Sequence, residues 1–304
     1  MSIWNTPRQP ASATSPNPSE IPALPKVTVP SLLERKRAGS RIAAITAYDF
    51  PSGRLADNAG LDLVLVGDSL AMTMLGHDST LSVTLDEMLV FTRAVRRGLQ
   101  RALLIADMPF GSYQVDDRAG VEAALRFVKE AGAEAVKLEG AHPSLVRRLV
   151  EAEIPVMGHL GLTPQAVHRM GGYKVQARTR DAIDQLREDA QRLADAGCFS
   201  IVLEGIPREV AATLTAELPI PTIGIGAGPE CDGQILVWHD LLGLSDRPAP
   251  RFVRPYLNGA VLLGSALQQY VHDVETGAFP SDQESYHLPR ETRELHDELA
   301  ASVA

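Results

Sequence analysis

The strongest constraint on this 304-residue chain is a rhythm that begins at Arg41. Short apolar runs rich in β-branched residues alternate with longer stretches of helical periodicity. The strand candidates are RIAAITAYD (41–49), LDLVLVGDS (61–69), ALLIADMP (102–109), EAVKLEG (134–140), PVMGHLGL (155–162), FSIVLEGI (199–206), PTIGIGAG (221–228) and QILVWHD (234–240). Between them lie helix-like segments such as 84–100, 121–132 and 179–197. Three of the helical segments end in Ala-Gly just before a strand, where glycine supplies the left-handed residue that stops a helix. Such alternation means βαβ units and a parallel sheet. Eight strands of continuous apolar character suit a closed (β/α)8 TIM barrel, with an open doubly wound sheet as the alternative. The seventh unit is the weakest, because only PECDG separates the last two strands.

Composition narrows the function. A net charge of −9 with no Lys/Arg-rich run argues against nucleic acid or an anionic membrane as partner. No apolar run reaches the roughly 18 residues of a membrane span. Cys198 and Cys231 fit no metal or redox spacing, so a cytoplasmic setting is expected. Residues 1–26 are Pro/Ser-rich and read as a disordered arm. The segment SLLERKRAGS (31–40) reads as a helix under the barrel whose basic cluster faces solvent, and RETRELHDELAAS (290–302) as a C-terminal helix.

The polar residues of the strands collect at their C-terminal ends, the face on which barrel enzymes carry their sites. In VLVGDSLAMTMLGHDST (64–80), strand two runs into Asp68 and Ser69. Strand three ends in Asp107, strand four carries Lys137 and Glu139, strand five His159 and strand six Glu204. Lys137 and Glu139 are two apart and share one side of their strand, while Leu138 faces the helices. Singly, a strand-end Asp is as readily a helix cap and an isolated His or Lys a structural partner. Together, four carboxylates opposite one lysine would repel one another unless a divalent cation joined them. Three of them make a hard oxygen site suited to Mg²⁺, with room for the two oxygens of a 2-oxo acid, and Glu204 is free to act as base. His159 is either a proton shuttle or a packed structural histidine. GIGAGPECDG (224–233) lacks the G-x-x-x-x-G-K-[ST] pattern and reads at least as readily as a tight turn or a close approach to a ligand as it does as a phosphate-binding loop. The stretch 162–181, with Gly171 and Gly172, is either a lid or an ordinary loop.

These motifs, with LLIADMPFGSY, AVKLEGA, VMGHLGLTPQAVHRMGGYKVQAR and IGIGAGPECDGQILVWHDLLGL, closely resemble the ketopantoate hydroxymethyltransferase family of the phosphoenolpyruvate mutase/isocitrate lyase superfamily. The similarity covers residues 27–287, leaving 288–304 as a helical tail. It implies a (β/α)8 catalytic barrel that moves a one-carbon unit from 5,10-methylenetetrahydrofolate to 3-methyl-2-oxobutanoate, giving 2-dehydropantoate for pantothenate biosynthesis. It implies Mg²⁺ held by Asp68, Asp107 and Glu139, a 2-oxo acid contacted by Asp68, Ser69, Asp107 and Lys137, and Glu204 as proton acceptor. It also implies a ring-like homo-oligomer, commonly a decamer. The family often has glycine where this chain has Ala177, and LECVP where it has Gly205 and Ile206.

Overall fold

The computed structural model describes residues 25–245, 249–290, 292, 293 and 296. The expected arm lies outside the described residues up to position 24, as does most of the C-terminal helical tail. The chain divides into two compact units, Met1–Leu241 with Ala249–Arg254, and Leu242–Pro248 with Pro255–Ala304.

All eight expected strands form: β1 Ile42–Thr46, β2 Leu63–Val66, β3 Leu103–Asp107, β4 Ala135–Glu139, β5 Val156–Gly161, β6 Ser200–Glu204, β7 Thr222–Ile225 and β8 Gly233–Leu236. They close in sequence order into an all-parallel barrel, with β8 pairing β1. A helix precedes β1, α1 Val29–Arg37. The crossovers are α2 Phe50–Asn58, α3 Leu85–Gly98, α4 Asp117–Ala131, α5 Pro143–Glu151, α6 Arg180–Asp195 and α7 Arg208–Glu217. Local chemistry sets their limits. Thr84 and Glu87 form a capping box at the start of α3, and Gly132 at φ 71° ends α4 as a left-handed cap. No helix spans the β7–β8 connection, as its length requires. The GIGAG run makes this turn, which the ion pair of Arg208 with Glu230 braces.

Two apolar layers follow from the strand period of two. Val64, Val66, Leu104, Ala106, Val136, Leu138, Ile201 and Leu203 face outward into the layer beneath the helices. Ile42, Ala44, Leu63, Leu65, Leu103, Ile105, Ala135, Met157, Val202, Ile223 and Ile235 fill the barrel interior. Continuing those inward positions toward the strand C-termini gives Asp107, Lys137, Glu139, His159 and Glu204. The interior is therefore apolar at one end and ionisable at the other.

Leu32 of α1 is fully buried against the interior apolar layer and closes its lower end. The basic cluster of this helix is not a solvated face. Arg35 pairs with buried Asp62 at 2.9 Å, and Lys36 with Asp232 at 2.8 Å. Asp62 also takes Arg101 at 2.8 Å. A carboxylate buried at the foot of a strand needs such cations, and they arrive from distant parts of the sequence. No helix among the described residues is long and apolar enough to cross a membrane.

Candidate active site

Asp68, Ser69, Asp107, Lys137, Glu139, His159 and Glu204 all line one cavity of about 250 Å³ at the C-terminal end of the barrel. The structure thus brings together every site residue expected from the sequence. Adjacent strands β2, β3 and β4 deliver the trio Asp68, Asp107 and Glu139, all buried. Glu204, on β6, stands four strands away from β2 and stays partly open to solvent.

Lys137 is the cation inside the trio. Its Nζ lies 2.8 Å from Asp107 Oδ1 and 3.9 Å from Glu139 Oε1. Burial alone would push its pKa down, but the charges of Asp107, Glu139 and Asp68 outweigh this and hold it above the usual lysine range. Burial raises Asp68 well above the ordinary carboxylate range, with the Asp107 and Glu139 charges adding to it. Asp107 is raised by burial too, against the pull of Lys137. Glu139 goes the other way. Burial pushes it up, but its contacts with His159, the Lys137 charge and the Gln165 backbone N–H bring it below its normal value.

His159 bridges the two halves of the site. Its Nδ1 is 3.5 Å from Glu139 Oε1 and 3.2 Å from Lys137 Nζ, and its Nε2 is 3.2 Å from Glu204 Oε2. Burial and Lys137 lower its pKa, yet the two glutamates prevail and raise it to about 9. Ser69 is held by a hydroxyl chain in which Thr46 donates to Tyr48 Oη at 2.8 Å and Tyr48 Oη meets Ser69 Oγ at 2.9 Å. Burial pushes the Tyr48 phenol up to about 12, so it stays neutral.

The donors of the trio bear on whether it can hold a metal. Asp107 Oδ1 is buried and takes no aligned hydrogen bond, although Lys137 is close. Three carboxylates share one lysine, and Asp68 bears the electrostatic cost of that shortage. Among the described residues no group of three His, Cys, Asp or Glu side chains is placed to hold a metal ion by itself, so the fit rests on the chemistry of the donors. A partial set of carboxylate oxygens is what Mg²⁺ uses when it keeps water or substrate in its remaining positions. The residues fit that ion.

Sequence reasoning missed three side chains of this site, Tyr48, Tyr113 and Gln165. Gln165 lies in the 162–181 stretch, whose first part is a packed wall rather than a free loop. Its amide donates to Asp68 Oδ2 at 2.9 Å and its backbone N–H to Glu139 Oε2 at 2.9 Å. The Tyr113 hydroxyl donates to Gln165 Oε1 at 2.7 Å and accepts from the Glu139 N–H at 3.0 Å.

Comparison with known proteins agrees with this geometry. Residues 26–282 match the family model described as ketopantoate hydroxymethyltransferase. The chain is 57% identical over 270 residues to a 3-methyl-2-oxobutanoate hydroxymethyltransferase of Koribacter versatilis, covering 88% of this chain and 92% of that protein. It is 52% identical to the enzyme of the same name from Pelobacter propionicus, covering 86% and 97%. Among solved structures, the fold is shared with 2,3-dimethylmalate lyase, a PEP mutase/isocitrate lyase superfamily member, at a TM-score of 0.53 and 16% identity, covering 90% of this chain and 98% of that one. The chain belongs to the ketopantoate hydroxymethyltransferase family.

Proposed function

We propose that this protein transfers a hydroxymethyl group from 5,10-methylenetetrahydrofolate to 3-methyl-2-oxobutanoate, forming 2-dehydropantoate on the route to pantothenate. The observation that carries the reading is a carboxylate trio on β2–β4 facing a lone glutamate on β6 across a cavity with an apolar floor. Asp68, Asp107 and Glu139 are the residues that would hold Mg²⁺, which supplies Lewis acidity toward the two oxygens of the 2-oxo acid. Lys137 adds a fixed positive charge beside those oxygens. Ser69, held by Tyr48, contacts the carboxylate of the acid. Val202, Ile225 and Ile235 receive the two methyl groups.

Glu204 takes the proton from C3, and the electron pair left there forms the new bond to the methylene carbon of the folate. Both bonds from that carbon to the two folate nitrogens break, water supplies the hydroxyl, and the proton from C3 and one from water end on the two nitrogens. His159, set between Glu139 and Glu204, orients Glu204. We assign the protein to the cytoplasm, where its two free, buried cysteines stay reduced. We also propose a homo-oligomer, supported by the apolar surface of the helix Gly259–Glu275.

The test is Glu204→Gln. In D₂O with Mg²⁺, the wild type should erase the C3 proton signal of 3-methyl-2-oxobutanoate in NMR. The variant should do so about 10²–10⁴-fold more slowly while binding Mg²⁺ as before. Exchange at the wild-type rate would remove Glu204 as the base.

A further inference from the structure

Each carboxylate of the trio has one oxygen already taken by a protein donor. Asp68 Oδ2 accepts from Gln165 Nε2, Glu139 Oε2 from the Gln165 backbone N–H, and Asp107 Oδ2 from the Asp68 backbone N–H at 3.2 Å. One residue, Gln165, therefore ties down two carboxylates from two different strands. The other oxygen of each faces the site: Asp68 Oδ1, and Glu139 Oε1, which has only His159 Nδ1 at 3.5 Å and Lys137 Nζ at 3.9 Å near it. We infer that Gln165 is a positioning residue that restricts Asp68 and Glu139 to one-oxygen ligation, and so makes the site prefer Mg²⁺ over Ca²⁺. This rests on the metal reading proposed above.

The side-chain amide has one orientation only. Nε2 spends its two protons on Asp68 and on the Met108 carbonyl at 3.0 Å. Oε1 accepts from the Tyr113 hydroxyl and from Gln114 Nε2 at 3.1 Å. Flipping the amide would set its oxygen against a carboxylate and a carbonyl, and its NH₂ against the NH₂ of Gln114. Gln165 is buried, so none of these partners is readily replaced by water. Its reach cannot slip either, because its backbone N–H is anchored to the second carboxylate.

Ion preference follows from coordination chemistry. Ca²⁺ takes six to eight oxygens at about 2.3–2.6 Å and gains from carboxylates that give both oxygens. Mg²⁺ demands six at about 2.0–2.1 Å in an octahedron, where each carboxylate gives one. A hydrogen bond on the second oxygen of Asp68 and of Glu139 withholds the extra ligands that the larger ion would use. Outer partners of this kind are typically worth about 10–100-fold in metal affinity.

The experiment uses the full-length protein, stripped with EDTA and without substrate. Bound Mn²⁺ is followed by the loss of its free-ion EPR signal, with Mg²⁺ and Ca²⁺ as competitors. Gln165→Met keeps the side-chain volume and removes the amide. Mg²⁺ affinity should fall about 10–100-fold while Ca²⁺ affinity changes by severalfold at most, so that the ratio collapses. An unchanged ratio in the variant overturns the role of Gln165 alone. A wild type that takes up none of the three ions overturns the metal reading, and this inference with it. Tyr113→Phe removes the hydroxyl that holds Oε1 and accepts from the Glu139 N–H, while the Gln165 amide and all three carboxylates remain in the chain. It should shift the ratio in the same direction by less. If Gln165→Met fails to fold, an unchanged ratio in Tyr113→Phe overturns the inference.

Discussion

Ala177 is a non-glycine residue held at φ 51°, in the left-handed region, and it is buried. The backbone around it is fixed by the neighbouring Gln176 N–H, which donates to the Gly205 carbonyl at 2.9 Å. A Cβ in this region costs about 1–2 kcal/mol against the following carbonyl. Glycine would remove that cost and give back about 0.4–1 kcal/mol in unfolded-chain entropy. Ala177→Gly should therefore stabilise the protein by roughly 0.5–1 kcal/mol, read as a rise in the urea midpoint at constant slope. A lower midpoint would mean that the methyl group's packing matters more than the strain.

The residues of the site were legible in the sequence to the extent that they carry charge. Asp68, Asp107, Glu139 and Glu204 stand out because an ionisable group at the end of an apolar strand is costly without a partner. Gln165 gives no such signal. It is uncharged, it follows a proline in a loop, and its meaning comes from Asp68, 97 positions away. Tyr113 reads as a core aromatic until its hydroxyl is seen between Glu139 and Gln165. The basic residues of α1 were misread for the same reason, since Asp62 and Asp232 are joined to them only by folding.

At the scale of elements, the strands were legible because continuous apolar runs of this length have few other uses, and the helix crossovers because their glycine stops recur. Strand ends were less so. β2 stops at Val66 and leaves Asp68 and Ser69 in the following turn, since side chains that reach over the cavity cannot also continue the ladder. The β5–β6 pair shows how closely two strand ends are set. Gly161 has φ 92°, and a Cβ on it would stand 2.3 Å from the Glu204 carbonyl oxygen and 2.8 Å from Ile206 Cγ2. The next residue, Leu162, donates its N–H to that same carbonyl at 2.8 Å. Gly161→Ala must therefore push the end of β6 away, and Glu204 with it. Stability should fall by about 2 kcal/mol from strain at a special backbone position. The catalytic constant should fall at least tenfold with little change in KM for the 2-oxo acid, because β2, β3 and β4 are not displaced. Steady-state kinetics with urea denaturation checks both, and a variant with wild-type turnover would show that β6 is free to shift at no cost to the reaction.

At the scale of the whole molecule, one feature of the second unit bears on the proposed homo-oligomer. The 17-residue helix α8, Gly259–Glu275, carries Leu263, Leu267, Tyr270, Val271 and Val274 on one face, each between 48% and 67% exposed. Their spacing of four, three, one and three places them along one stripe, the pattern of a helix that packs against something. Burying a fully exposed side chain of this kind yields about 1.5–3 kcal/mol, so five that are about half to two-thirds exposed yield roughly 4–9 kcal/mol for the stripe. That is of the order of the 4–15 kcal/mol that association costs, so one helix pairs only marginally and a second contact or a closed ring tips the balance. Closed symmetry uses the same surface on every subunit, so damage to this stripe acts at all interfaces at once. Leu263→Glu with Leu267→Glu should reduce the mass seen by light scattering at micromolar concentration while the far-UV CD stays unchanged. A wild type that is already monomeric would overturn the proposed homo-oligomer, and a variant of undiminished mass would place its interface elsewhere on the chain. Both substitutions lie in the second unit and every cavity-lining residue in the first, so per-subunit exchange of the C3 proton in the variant also reports whether each barrel works alone.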